Sequence, residues 1–166
     1  MTSGLAARQA VGVAQLRVSD ALDEVLVAYA LGSCLGVAVY DPLARVGGLL
    51  HVMLPSATID PEKAAHNPSM FVDTGVPRLF RECYKLGAHQ ERIVVKVAGG
   101  ASTQLAGSQD IWEIGKRNLI ALRQLLWKNG VLLHGYDVGG SRSRTMTLDI
   151  ATGEVTVSSG GSTIEL

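Results

Sequence analysis

The sequence predicts one mixed α/β domain over residues 1–166, in which helices cover at least one β-sheet. Three observations lead to this fold class. The chain has 166 residues, of which 47% are apolar, and a chain of this size can bury a sizeable core without disulfides or metals. Short apolar runs typical of buried strands accompany two segments with helical spacing. Many scattered glycines and a few prolines mark turns between these segments.

Three apolar runs in the first half of the chain predict strands. They are residues 24–29, 34–40 and 46–54. The runs are rich in Val and Leu and nearly continuous, which is typical of strands buried on both faces. Residues 41–44 (Asp-Pro-Leu-Ala) predict a tight turn between the second and third runs. Residues 1–20 are weakly patterned, and the polar residues 55–70 predict a surface loop.

Apolar residues recur at helical spacing between residues 72 and 86 and predict a first helix. Because proline breaks a helix interior, Pro77 places the first turn near Asp73 or Thr74, and Gly87 ends the helix. A second helix is predicted to begin at a capping box of Asp110 and Glu113. It should end at residues 128–130 (Lys-Asn-Gly). Further strands are predicted at residues 92–98, 131–138, 144–150 and 154–158, with Thr152-Gly153 turning the last pair.

Composition excludes several classes of protein. Fifteen Lys and Arg residues balance fifteen Asp and Glu residues, so the basic excess of a nucleic-acid binder is absent. The apolar runs are too short to insert across a membrane, and no signal-peptide pattern opens the chain. Two cysteines cannot form a disulfide framework, so we expect a cytoplasmic protein with free thiols. Without a metal-site spacing or a nucleotide-binding glycine motif, we expect neither a metal nor a cofactor.

Cys34 and His51 are the best candidates for catalysis. If residues 42 and 43 are the centre of a two-residue turn, Cys34 lies directly opposite His51, with Cβ atoms about 4.5–5.5 Å apart. A thiol beside an imidazole can form a thiolate and an imidazolium, which makes the sulfur a nucleophile at neutral pH. A lone Cys or His in an apolar strand is more often a core residue, but an opposed pair favours chemistry. Small residues on the same face should leave room beside the pair: Gly36, Ala38 and Gly47.

The other cysteine and histidines are less specific. Cys83 lies on the apolar face of the first helix and is expected in the core. His66 and His89 lie in predicted loops and are expected to be solvated. His134 alternates with leucines in a predicted strand, and its role is open.

Two glycine-rich segments follow predicted strands and are expected to form loops at the rim of the substrate site. Gly99 and Gly100 begin the first segment, which could also cradle a phosphate, although the phosphate-binding motifs are absent. Gly139 and Gly140 belong to the second segment, which is either an ordinary turn or a rim that admits the backbone of a partner.

Taken together, these segments resemble the bacterial chemoreceptor glutamine deamidases, the CheD family. The resemblance extends from about Leu31 to about Gly153, and the order and spacing of its motifs make it specific. The motifs are Leu31-Gly32-Ser33-Cys34, Asp41-Pro42, Gly47-Gly48, His51-Val52-Met53-Leu54-Pro55, Ala98-Gly99-Gly100-Ala101-Ser102, Ile114-Gly115, Arg117-Asn118, and Gly139-Gly140 with Arg142 and Arg144.

The resemblance implies a fold of layered mixed β-sheets flanked by helices, related to the cytotoxic necrotizing factor deamidases. It implies hydrolysis of selected glutamine side chains on chemoreceptors to glutamate, with Cys34 as the nucleophile and His51 as the general base. The implied partners are the cytoplasmic helices of chemoreceptors and the CheC phosphatase, which competes with receptors for CheD.

Ala28 departs from the family pattern, which commonly has a Thr six residues before the nucleophile as a third member of the site. Because Ala has no hydroxyl to orient the imidazole of His51, either Ser33, Ser102 or a backbone carbonyl takes that role, or the site is impaired. An impaired site would make the chain an adaptor that binds receptors or CheC without deamidating. A small-molecule cysteine hydrolase of the same fold is a further alternative.

Overall fold

The computed structural model describes residues 5–102 and 113–166, which form ten strands and three α-helices. The strands are β1 (Ala7–Ala10), β2 (Gln15–Ser19), β3 (Glu24–Leu31), β4 (Leu35–Asp41), β5 (Val46–Val52), β6 (Val94–Gly99), β7 (Gly135–Val138), β8 (Arg144–Asp149), β9 (Val155–Ser159) and β10 (Ser162–Glu165). The helices are α1 (Pro61–His66), α2 (Val72–Lys85) and α3 (Ile114–Lys128).

The strands form two five-stranded sheets. The outer sheet has the order β1-β3-β8-β9-β10, and the central sheet has the order β2-β5-β4-β6-β7. Both sheets are mixed, because β1 pairs with β3 and β6 pairs with β7 in parallel while the other pairs are antiparallel. One face of the central sheet packs against α2 and α3, and the other packs against the outer sheet. The predicted class of layered mixed sheets flanked by helices is therefore confirmed.

β4 and β5 lie in the middle of the central sheet, and every residue of both strands is buried, as the nearly continuous apolar runs predicted. Alternate residues of β4 face the two cores. Leu35 and Val37 belong to the core beneath the helices, whereas Ala38 and Tyr40 belong to the core between the sheets. Leu49 also lies in the inter-sheet core, so His51, two residues along β5, has the same orientation.

The predicted hairpin of β4 and β5 is confirmed, but the predicted register is wrong. Gly36, not Cys34, pairs with His51. The turn is longer than two residues because Asp41 organises it: its carboxylate accepts hydrogen bonds from the N–H groups of Leu43 and Ala44, and its carbonyl accepts one from Arg45. The shift is by two residues, an even number, so the residues of β4 that face His51 are still those of even number. Cys34, just before β4, packs against the same inter-sheet core.

Asp41 also links this turn to the segment before β6. Its carboxylate is fully buried, accepts a hydrogen bond from the His89 N–H, and forms a salt bridge of 2.9 Å with Arg92. Burial acts to raise the pKa of Asp41, but the hydrogen bonds from Arg92 and from the backbone outweigh it and hold the pKa well below its usual range. The carboxylate is therefore ionised and fixes the distance between the β4–β5 turn and β6.

Strands at the sheet edges were not recognised in the sequence. β1 and β10 are the two edges of the outer sheet, and β2 is one edge of the central sheet. Most of their side chains are exposed or only half-buried, so they lack the apolar pattern that reveals a buried strand. The predicted loop at residues 55–70 is also more ordered than expected, since it contains α1 and two short 3₁₀ turns.

The helix ends differ from the predictions in two places. α2 begins at Val72, slightly earlier than predicted, and accommodates Pro77 in its second turn. α3 begins at Ile114 with Glu113 at the N-cap position and a φ of 45°. Glu113 therefore does not occupy the third helical position that a capping box requires, and Asp110 lies outside the described residues. The predicted ends at Gly87 and at residues 128–130 are confirmed.

A bulge in β3 directs the chain toward Cys34. The pairing of β3 with β8 shifts between Ala28 and Leu31, and Ala30 within this bulge has a φ of 54°. This left-handed conformation costs an L-residue about 1–2 kcal/mol. Glycine adopts this conformation without that cost.

We therefore expect Ala30→Gly to raise the free energy of unfolding by about 0.5–1 kcal/mol, after subtraction of the larger entropy of Gly in the unfolded chain. Urea unfolding measures the change. Ala10→Gly is the matched control, because Ala10 is an exposed strand residue without a positive φ, and it should destabilise. Equal destabilisation by both substitutions would show that the bulge is not strained.

Candidate active site

Cys34 lies in a bend between β3 and β4, where it is half-buried and packs against the inter-sheet core. The bend rests on the segment that follows β6. The Cys34 carbonyl accepts a hydrogen bond from the N–H of Gly100 (2.9 Å), and the Gly32 carbonyl accepts one from Ala101 (2.9 Å). A Cβ on Gly99 would lie 2.2 Å from the Cys34 carbonyl oxygen, and Gly99 has a φ of +112°. Residue 99 must therefore be glycine for the two backbones to approach this closely.

Asn118, in the second turn of α3, contacts the same bend. Its side-chain Nδ2 donates hydrogen bonds to the carbonyl oxygens of Ser33 (3.0 Å) and Met53 (3.1 Å). Ser33 directly precedes Cys34, and Met53 directly follows β5, the strand that carries His51. The side chain of Asn118 is fully buried. It thus connects the chain segments that hold the two candidate catalytic residues.

His51 is 2% exposed and is held from the segment between β1 and β2. Its Nδ1 lies 3.1 Å from the Val11 carbonyl oxygen, and its own carbonyl accepts a hydrogen bond from Ala14 (2.8 Å). Because a carbonyl only accepts, Nδ1 carries the proton, and Nε2 of the neutral ring has a free lone pair. Among the described residues, Nε2 has no hydrogen-bond partner. Burial lowers the pKa of His51, and the bond to Val11 only partly opposes this, so the ring is neutral at pH 7.

The predicted hydrogen bond between the Cys34 sulfur and the His51 imidazole does not occur in this structure, since Nε2 is unpartnered within the described part of the chain. Gly36 occupies the position opposite His51, and Cys34 precedes it by two residues, in the bend just outside the ladder, where it packs against the same inter-sheet core. We infer that its separation from His51 is close to that of a diagonal neighbour. Diagonal neighbours of an antiparallel pair are about 7–8 Å apart, a little less between Cβ atoms. Hydrogen bonds of catalytic pairs often shorten only when the substrate is bound, so this geometry is compatible with a catalytic pair.

The small residues beside the pair do not leave empty space, contrary to the sequence-based expectation. A Cβ on Gly36 would lie 2.8 Å from the Met146 sulfur and 2.9 Å from a Leu31 methyl carbon. A Cβ on Gly47 would lie 2.8 Å from a methyl carbon of Ile150. The glycines therefore allow the outer sheet to pack closely over the central sheet, which excludes water from the face that carries His51.

The protonation state of Cys34 also differs from the sequence-based expectation. Burial raises the pKa of the Cys34 thiol, and only its own backbone N–H opposes this. Together with the lowered pKa of His51, this makes the resting pair a neutral thiol and a neutral imidazole. Both shifts disfavour the thiolate–imidazolium pair that the sequence suggested, and the labelling experiment below tests which state is present.

Neither candidate serine contacts the imidazole, because a backbone carbonyl orients Nδ1. Ser33 contributes its carbonyl oxygen to Asn118, and Ser102 is exposed, with its N–H donating to the Gly140 carbonyl at 2.8 Å. Of the open possibilities for the role of the missing Thr, the structure thus provides the backbone carbonyl, that of Val11. The segment containing Val11 had shown only weak patterning in the sequence.

The two glycine loops differ in exposure. Gly99 and Gly100 are buried beneath the Cys34 bend, so these two residues do not line an exposed rim and instead support the bend. Gly139 is half-buried and Gly140 is exposed; both have a positive φ, and a Cβ on either would meet no atom within 4 Å. The second loop therefore has the openness that a substrate rim requires, and this role remains a prediction.

Arg144 ties the two glycine loops together. It is 8% exposed, and its guanidinium donates to the carbonyl oxygens of Gly99 (3.3 Å) and Gly139 (2.8 Å). It also pairs with the Asp137 carboxylate at 3.3 Å. A direct backbone bond from the Gly139 N–H to the Gly99 carbonyl (3.0 Å) completes the connection.

The remaining sequence candidates lie away from this arrangement. Cys83 is 1% exposed in the core beneath α2, as predicted, and burial raises its pKa to about 12. His66 and His89 are exposed, in line with the prediction, although His66 is the last residue of α1. His134 is exposed and extends the pairing of β6 and β7, since its Nδ1 accepts a hydrogen bond from the Val95 N–H. Within residues 5–102 and 113–166, no three His, Cys, Asp or Glu side chains lie close enough together to hold a metal ion.

Comparisons with known proteins agree with this architecture. The model of the family described as "CheD chemotactic sensory transduction" matches residues 53–159, which is more than half of the chain. The chain belongs to the CheD family. The match to the family model begins two residues after His51, but alignments with individual relatives cover nearly the whole chain.

Curated relatives carry names that specify an activity. The chain is 49% identical over 151 residues to the "probable chemoreceptor glutamine deamidase CheD 1" of Syntrophus aciditrophicus, covering 91% of this chain and 93% of the relative. It is 49% identical over 156 residues to the similarly named protein of Solibacter usitatus, covering 94% and 91%. An archaeal relative from Pyrococcus abyssi is 40% identical over 143 residues, covering 85% of this chain and 86% of the relative.

Across the described residues, no helix is long and apolar enough to span a membrane.

The protonation states predict how the two cysteines react. We expect iodoacetamide to label Cys34 before Cys83 at every pH, because Cys34 is half-buried and Cys83 is fully buried. Only the thiolate reacts, so the labelling rate of Cys34 should still be rising above about pH 9. Mass spectrometry of briefly labelled native protein measures both rates. A rate that levels off below pH 8 would instead reveal a preformed ion pair with His51.

Proposed function

We propose that this chain hydrolyses glutamine side chains of chemoreceptors to glutamate, with Cys34 as the nucleophile and His51 as the general base. Membership of the CheD family and the names of close relatives support the reaction. The observation that carries the assignment of residues is that a half-buried cysteine packs against the inter-sheet core, the same core that a tautomer-fixed histidine of β5 faces. The hydrogen bond from Nδ1 to Val11 leaves Nε2 free to accept a proton on that face.

The first step is attack on the carboxamide. Because both groups are neutral at rest, the thiol proton moves from Sγ to Nε2 as the sulfur–carbon bond forms and the electron pair of the C=O bond moves to oxygen. The backbone N–H of Cys34 acts to lower the pKa of its thiol, as a hydrogen-bond donor close to the sulfur does. This N–H is a candidate donor to the developing oxyanion.

The second step releases ammonia. The tetrahedral intermediate collapses as the imidazolium of His51 gives its proton to the amide nitrogen, so the carbon–nitrogen bond breaks and a thioester remains.

In the third step, a water molecule attacks the thioester while Nε2 of His51 accepts its proton. Cleavage of the carbon–sulfur bond returns that proton to the Cys34 sulfur and releases the glutamate side chain.

The protein substrate in this proposal is a cytoplasmic helix of a chemoreceptor, which approaches over the exposed Gly139–Gly140 loop. The openness of this loop supports the approach of a bulky partner. A CheC-type phosphatase is the second proposed partner, and it should slow ammonia release from receptors by competing for the chain.

An adaptor without deamidase activity is the second candidate function. Two observations favour it: residue 28 is Ala and has no hydroxyl, and no described residue forms a hydrogen bond with Nε2 of His51. The two functions differ in whether ammonia is released after the receptor is bound.

The deciding experiment measures ammonia release from the purified cytoplasmic domain of a chemoreceptor, with mass spectrometry to locate each glutamine that becomes glutamate. Cys34→Ala should abolish ammonia release and leave receptor binding intact. His51→Gln should reduce the rate of ammonia release about 10²–10⁴-fold, the usual contribution of a general base. Cys83→Ala is the control and should retain the rate. Receptor binding without ammonia release by the unmodified chain would establish the adaptor, and faster hydrolysis of free glutamine would establish a small-molecule hydrolase.

The Val11 contact changes what we expect of the missing hydroxyl. Ala28 is fully buried beside Met146 of β8, and the imidazole already has an orienting acceptor, so Ala28→Thr should change ammonia release by less than about two-fold. Ala28→Val is the matched control, because it adds the same bulk without a hydroxyl. A clear gain with Thr and none with Val would show that the hydroxyl itself assists His51.

A further inference from the structure

We infer that Asn118 is a positioning residue for deamidation, which holds the Cys34 bend against the end of the strand that carries His51. This inference rests on the proposed function. The hydrogen bonds that Asn118 donates within the described residues go to backbone carbonyls, those of Ser33 and Met53, so we infer that it acts through the backbone segments that carry Cys34 and His51.

Asn118 bonds to both segments through one group. The two acceptors, the carbonyl oxygens of Ser33 and Met53, lie 3.0 Å and 3.1 Å from Nδ2. Because both are carbonyl oxygens, the amide must present its NH₂ group to them, and this fixes the orientation of the side chain. The side chain is fully buried.

The bridge lies where the β4–β5 ladder ends. The last pair of the ladder is Leu35 with Val52. Beyond it, the chain after β5 turns away, since the N–H groups of Met53 and Leu54 both donate to the Met70 carbonyl. Asn118 therefore continues the connection between the two strands at the residues next to Cys34, where backbone pairing between them has stopped.

The start of α3 is placed so that Asn118 reaches this point. A Cβ on Gly115 would lie 2.5 Å from the Gly100 carbonyl oxygen and 2.6 Å from that of Ala101. Only glycine allows the helix to approach the loop this closely. Gly100 in turn donates to the Cys34 carbonyl, so α3 and the cysteine bend are fixed to the same short segment.

Loss of the bridge should affect catalysis more than binding. A displacement of about 1 Å in a reacting group can cost about 10²-fold in rate, whereas the exposed rim that meets the substrate does not involve Asn118. We therefore expect Asn118→Ala to lower kcat for ammonia release by about 10–100-fold, with KM changed by less than about two-fold.

Leu122→Ala is the matched control. Leu122 is fully buried one turn further along α3 and belongs to the core beneath the helices. It should lower the melting temperature at least as much as Asn118→Ala while retaining kcat at a temperature where both variants are folded. Equal losses of kcat in the two variants, or failure of Asn118→Ala alone to fold, would show that Asn118 serves general stability and would overturn the inference.

Asn118→Asp separates the donor from the shape of the side chain, because a carboxylate matches the amide in size but offers the carbonyls no proton. It should lose kcat as Ala does and recover part of it at mildly acidic pH, where a protonated carboxyl can donate to one carbonyl. Absence of recovery in a folded Asp variant would contradict a donor role.

A second measurement does not depend on deamidation. Asn118→Ala should increase the iodoacetamide labelling rate of Cys34 at least about three-fold relative to Leu122→Ala, because the bend loses an anchor next to the sulfur. If the unmodified chain releases no ammonia, the proposed function fails, and this labelling comparison still tests the bridge. An unchanged labelling rate would refute the bridge whatever the activity.

Discussion

The backbone of Gly99 lies so close to the Cys34 carbonyl that a single added carbon would come within 2.2 Å of its oxygen. This approach decides where the cysteine bend sits. It brings two carbonyl oxygens of the bend, those of Cys34 and Gly32, within reach of the N–H groups of Gly100 and Ala101 respectively. These carbonyls are therefore hydrogen-bonded to the backbone rather than to solvent. Arg144 then fixes the carbonyl of Gly99 from the other side. The bend that carries Cys34, the candidate nucleophile, is thus held by the segment that follows β6, although Cys34 itself lies outside regular secondary structure.

The packing of the outer sheet over the central sheet buries Cys34 and His51 and thereby shifts the protonation equilibria of both side chains. Burial lowers the pKa of His51 and raises that of Cys34, and both changes favour the uncharged forms. A preformed ion pair would need a desolvated thiolate and a desolvated imidazolium, which is costly unless the two are in contact. In the proposed mechanism, proton transfer coupled to attack avoids this cost, because charge appears only when the substrate carbonyl is present to receive it. The water-excluding face also strengthens any hydrogen bond that forms there.

The fold class and the Cys34–His51 face could be predicted because β4 and β5 are buried on both sides and their apolar runs are unbroken. The register could not, since it depends on how many residues the turn contains. The Asp41 side chain, with its hydrogen bonds to Leu43 and Ala44, sets that number. Edge strands such as β1 and β10 were missed for the opposite reason: little of their surface is buried, so their sequences carry little pattern.

The orienting partner of His51 could not be predicted because it is a main-chain atom. Every residue has a carbonyl, so nothing in the identity of Val11 marks it as the acceptor; only the path of the chain between β1 and β2 does. That path is itself held by the bond from the Val11 N–H to the Val27 carbonyl and by the bond from Ala14 to the carbonyl of His51. A backbone acceptor selects the same tautomer as a hydroxyl would, and it does not change when side chains are substituted. Val27 belongs to β3, so this strand positions the carbonyl that accepts the Nδ1 proton of His51 through its own bond to Val11.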